Sequence, residues 1–174
     1  MNRIILLSLA CAASACSPTA DREDETGAVS VASSGKTEVA LAQVPPQVLA
    51  AARAARADVI ITEAEAEMRD GRRYFDVGGT LPDGTEIEFD IMEEGGDWRV
   101  VETQRDIAFA ALPQPVRAAH VAGFTPNRVI ESTQADGLVI YELFGEADGQ
   151  PDGRKEEIKW NGTRAEVLEE EWAH

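Results

Sequence analysis

Through the middle of the chain, apolar and polar residues alternate with the period of a β-strand. In residues 85–91, Ile87, Phe89 and Ile91 point one way, while Glu86, Glu88 and Asp90 point the other. This is the cleanest of four strand-like runs in the first half, at 59–66, 73–78, 85–91 and 98–103. Asp70-Gly71, Asp83-Gly84 and Gly95-Gly96-Asp97 punctuate them. Asp-Gly between such runs is a hairpin signal, because a type I′ turn needs positive φ at both central residues. A helical period comes first. Val48, Ala51, Ala52 and Ala55 share one face behind Pro45, whose missing N–H costs nothing at a first helical position.

The same order then recurs. VPPQVLAAA at 44–52 matches LPQPVRAAH at 112–120, aligning Pro45 with Pro113, Val48 with Val116 and Ala51 with Ala119. The pattern predicts a helix over 113–123 with Val116, Ala119 and Phe124 as its apolar contacts. Strands are expected near 127–133, 138–144, 155–160 and 164–169. Turn signals fall at Asp136-Gly137, between Asp148-Gly149 and Asp152-Gly153, and at Asn161-Gly162. A period of roughly 68 residues suits a duplicated small domain rather than a solenoid. The expected fold is α+β: two tandem repeats, each one helix packed on a four-stranded antiparallel meander sheet. The helix would cover the apolar face of its sheet. The repeats would span 44–106 and 107–174.

The N-terminal residues 1–15 read as a signal peptide, with Arg3 before a short apolar run from Ile4 to Ala13. That run is too short to span a bilayer, which takes about 20 residues. Simple cleavage after Ala15 is one reading. The sharper one is a lipobox, in which Cys16 becomes the lipidated first residue; Ala13 stands where Leu is usual. Cleavage before Cys16 leaves one cysteine, which excludes an internal disulfide and a cysteine-based zinc site. Residues 16–43 are polar, small and without apolar period, and read as a flexible tether with a reach of about 30 Å. The expected location is the periplasmic side of a membrane. Ser17 after Cys16 favours the outer one.

Two motif groups carry a resemblance. Pro45, Val48, Ala51, Asp70, Gly71, Tyr74, Phe75, Asp83 and Gly84 are matched by Pro113, Val116, Ala119, Asp136, Gly137, Ile140 and Tyr141. A Pro-x-x-Val-x-x-Ala-Ala helix, a Glu-rich strand and then Asp-Gly-x-x-Tyr-x-Val resembles a tandem PepSY-like domain. That group is similar in fold to the tandem-repeat beta-lactamase inhibitor proteins. The resemblance implies an exported, non-catalytic lipoprotein module that binds a protein or peptide, with inhibition left open. No inhibitory loop residue can be matched here.

The charge of −16 narrows the partners. It argues against nucleic acid, whose phosphates demand Lys and Arg, and against anionic headgroups. Solubility accounts for much of such a charge. Glu86, Glu88 and Asp90 nevertheless form one acidic row, and Glu63, Glu65 and Glu67 another. Such rows are commonly solvated; the functional alternative is a face that docks a basic surface. Glu86, Glu88 and Asp90 are therefore the candidate partner-binding residues. The competing reading is a periplasmic protein that binds or senses divalent cations or small ligands. An EF-hand register from Asp148 fails, because its last ligand position is Lys159.

No nucleophile–base set or phosphate loop is present in the sequence, so no catalytic residue, cofactor or metal site is assigned. His120 falls near a helix end and His174 is terminal. Trp98 and Trp160 sit on apolar strand faces and are expected in the core, while Trp172 follows a Glu run and could anchor the C-terminus.

Overall fold

A computed structural model of the protein describes residues 35–121 and 123–172. The signal peptide, the candidate lipidation residue Cys16 and His174 lie outside the described residues.

Nine strands make one antiparallel sheet in strict sequence order. They are β1 (Thr37–Glu38), β2 (Ile60–Arg69), β3 (Arg72–Thr80), β4 (Glu86–Glu94), β5 (Asp97–Asp106), β6 (Arg128–Gln134), β7 (Val139–Ala147), β8 (Gln150–Trp160) and β9 (Ala165–Val167). Helix α1 (Pro46–Ala55) precedes β2, and α2 (Gln114–Ala119) precedes β6. Each helix follows a single 3-10 turn, at Leu41–Gln43 and Phe109–Ala111.

This overturns the expected fold of two repeats, each a helix on its own four-stranded sheet. Strand β5 does not end a unit. Its residues Glu102–Asp106 pair with Ile130–Gln134 of β6, so the sheet runs on without a break. The physical reason is the edge. A ten-residue strand left at a border would expose a row of unpaired N–H and C=O groups, and the neighbouring strand satisfies them. The ninth strand, β1, comes from residues read as tether.

The face that carries the helices holds two apolar clusters. Val48 and Ala52 of α1 pack with Phe75, Val77, Ile87, Phe89 and Ile91. Val116 of α2 packs with Val129, Tyr141, Leu143 and Ile158. Alternation places these residues on one side of every strand and leaves the other side mainly polar, with Met92, Ile140 and Phe144 as apolar exceptions. Trp98 and Trp160 are half-buried against the two clusters, and Phe75 meets Trp98 edge-on at 5.3 Å.

Two hairpins show why the Asp-Gly pairs matter. Asp70 and Gly71 have φ of 50° and 74°, and Asp148 and Gly149 have 52° and 77°. Both are the left-handed pair a two-residue type I′ turn requires. The second is tighter than the long turn expected there. Asp152 and Gly153 already belong to β8, which leaves no calcium-binding loop in this hairpin.

Candidate functional site

The polar side of the sheet is the part of the molecule that chemistry has shaped. Strand register puts Glu38 opposite Glu65, Glu65 opposite Asp76, Asp76 opposite Asp90 and Asp90 opposite Glu102. Five carboxylates thus lie in one row across five adjacent strands. Gln134 of β6 ends the row beside Glu102. Directly opposed like charges destabilise a sheet, by about 0.2–1 kcal/mol per pair. Such a row persists only where something offsets it.

Two cations do part of this. Arg69 of β2 reaches Glu67 at 2.7 Å and Asp90 at 3.3 Å, and its guanidinium stacks 4.5 Å above the Tyr74 ring. Lys36, just before β1, holds its ammonium 2.7 Å from Asp76 Oδ2 and 3.8 Å from Glu88. Burial alone would lower the Lys36 pKa, but the hydrogen-bonding and charge of Asp76 outweigh it and raise it. At the far end Ser132 donates to Glu102, as does Gln104 at 2.9 Å.

The compensation is incomplete at the centre. Asp76 and Asp90 are only 2% and 4% exposed. Burial, then the adjacent Asp76 charge and a shared hydrogen bond, push the Asp90 carboxyl up to about 8, against the pull of Arg69. Burial likewise raises Glu88, with Lys36 opposing. Apart from the Lys36 ammonium on Oδ2 and the hydrogen bond shared with Asp90, no donor reaches the Asp76 carboxylate among the described residues. One oxygen each from Asp76, Glu88 and Asp90 lie within 4.8 Å of one another.

The structure places Glu86, Glu88 and Asp90 on one face, as alternation requires, but in three different environments. Glu86 is exposed, Glu88 is half-exposed and Asp90 is buried. Glu63, Glu65 and Glu67 share that face, and Glu67 is buried in its pair with Arg69. Beside them runs a shallow groove of about 190 Å³, lined by Glu63, Gly78, Glu86, Glu88, Gln104 and Arg128 among others. A Cβ at Gly78 would sit 2.8 Å from the Glu63 side chain, which is exposed and can swing aside.

Sequence reasoning missed Asp76, Glu102, Lys36 and Arg69. Asp76 had a signal: the strand's lone acid, set between Phe75 and Val77. Lys36 had none, because its partners lie 40 and 52 residues away.

The other polar candidates are structural. His120 sits between Glu156 Oε2 at 2.5 Å and the Phe124 carbonyl at 2.8 Å. The carbonyl only accepts, so Nε2 carries a proton towards Phe124. Burial opposes a charge on the ring, but the Glu156 bond raises the His120 pKa. Trp172 donates its backbone N–H to Glu157, fastening the C-terminal segment to β8.

Comparison with known proteins finds no matching family model, curated protein or solved structure.

Proposed function

We propose that the protein is a non-catalytic, exported lipoprotein, anchored through Cys16, whose acidic sheet face binds a basic segment of an envelope protein. The PepSY-like motifs support the same reading. One observation carries it: among the described residues, no ion pair neutralises Glu63, Glu65 or Glu86 at the rim of the carboxylate row. Unpaired surface carboxylates beside a groove offer a basic segment charge complementarity and steering, at little desolvation cost to the protein. Asp90 is too buried to meet a partner, so the contact falls on Glu63, Glu86 and Glu88.

The test uses the full chain and a Glu63→Lys/Glu86→Lys variant, both surface positions that leave the buried row intact. The wild type is expected to bind oligolysine and one or more solubilised envelope proteins at low salt. That binding should fade as the screening length drops from about 8 Å towards about 3 Å at high salt. The variant should bind at least tenfold more weakly. Equal binding by both proteins would reject the acidic-face contact.

A further inference from the structure

We infer that Asp76, Glu88 and Asp90 form a seat for a calcium-sized divalent cation, which the Lys36 ammonium fills when no ion is bound. An acidic cluster alone would not carry this. The second observation is Asp76 itself, 2% exposed, whose carboxylate oxygens find, among the described residues, only the Lys36 ammonium and the hydrogen bond shared with Asp90. A buried carboxylate keeps its charge only beside a cation or strong donors. The cation in contact with it is a flexible lysine from outside the sheet, 44% exposed, on the segment leading into β1, with Arg69 acting from farther off.

Ion chemistry favours calcium. Oxygens that share a calcium ion at about 2.3–2.6 Å are separated by up to about 5 Å, and the three oxygens here lie within 4.8 Å of one another. Magnesium demands near-ideal octahedral geometry and dehydrates reluctantly, so a partly buried carboxylate set suits it less. Asp76 and Asp90 come from the floor of the face, and half-exposed Glu88 opens it to solvent. Water completes the shell from that side.

Filling the seat has a mechanical consequence. The ion takes the oxygens that Lys36 contacts, so the ammonium must leave. The segment behind Lys36 then loses that tie, while the two-residue β1, the Val39 N–H bond to Ala64 and the packing of Val39 and Leu41 on the first cluster remain. Occupancy of the seat thus frees the Lys36 side chain next to the stretch read as tether. Partner binding shares Glu88 with this seat, but its other contact residues, Glu63 and Glu86, are not ligands, so the Glu63→Lys/Glu86→Lys variant tests it separately.

The test titrates calcium chloride into the full chain, with potassium chloride holding the ionic strength constant, by calorimetry and thermal melting. One ion per chain and a rise in melting temperature are expected, with magnesium binding at least tenfold more weakly. Asp76→Asn should weaken calcium binding at least tenfold. Lys36→Met should tighten it severalfold, since the competing ammonium is gone. If Asp76→Asn does not fold, Glu88→Gln at the half-exposed position should show the same tenfold loss. No calcium uptake, unchanged affinity in the carboxylate variants, or unchanged affinity in Lys36→Met would overturn the inference.

Discussion

At Gly145 one missing carbon decides the packing. The Phe124 ring lies across this strand position, and a Cβ there would sit 2.2 Å from Phe124 Cδ2. No rotamer of Gly145→Ala relieves that, because the clash is with Cβ itself. The substitution should cost about 1–3 kcal/mol by overpacking, read as a lower denaturant midpoint. In a Phe124→Ala background the penalty should largely disappear; if it persists, the ring is not the cause. Asp90 makes a different prediction. Facing Asp76, Glu102 and Arg69 from neighbouring strands, with Glu88 and Lys36 close by, it titrates near 8 in the folded chain. That is above its unfolded value, so the folded state holds a proton the unfolded state has released. Its stabilisation is present in full below about pH 4 and is lost as pH rises through about 8. Without divalent ions, stability should fall between about pH 5 and about pH 9, and Asp90→Asn should flatten that slope. His120 is also raised and adds in the same direction, so the measure is the difference between the two proteins. Identical slopes would assign the effect elsewhere.

Elements were legible in the sequence to the extent that they depend on local period. The alternation of Ile87, Phe89 and Ile91 with acids placed β4 and its two faces. The Val48–Ala52 spacing placed α1, whose first helical residue is Pro46 rather than Pro45. Helix α2 shows the limit. Apolar spacing extended it to 123, yet it ends at Ala119, where His120 turns away to bond Glu156 of β8 and the Phe124 carbonyl. A partner 36 residues distant outcompetes the last helical turn, and no local pattern records it. The site was half legible for the same reason. Alternation shows which acids share a face, but only strand register shows that Asp76 stands opposite Asp90. Register depends on the turn through Leu81–Thr85, where the Leu81 and Thr85 backbones close the hairpin. One residue more or less in that turn would send Asp90 past Asp76, and the row would dissolve.

For the molecule as a whole, the question is whether one sheet with two apolar clusters behaves as one body. The clusters share no buried residue. The β5–β6 seam joins them, and the seam is well made. Five register pairs span it, with Arg105–Glu131 at 2.7 Å, Arg128–Asp106 at 3.1 Å and the buried Ser132–Glu102 bond. The Ala135 N–H to Val101 carbonyl bond extends the seam at one end, and the Ile107 N–H to Val129 carbonyl bond at the other. Opening it would expose two strand edges and leave Glu102 without its Ser132 donor. That cost is large against the marginal stability of a chain this size. The two halves should therefore unfold together, with calorimetric and van't Hoff enthalpies equal. Gly145→Ala supplies the sharper check, because it injures only the second cluster. If the seam couples the halves, slow amide exchange in β3 and β4, on the first cluster, should quicken by the same free energy that the variant loses globally. Exchange there at the wild-type rate, or two separate melting transitions, would mean that the continuous sheet joins two bodies that still fold apart.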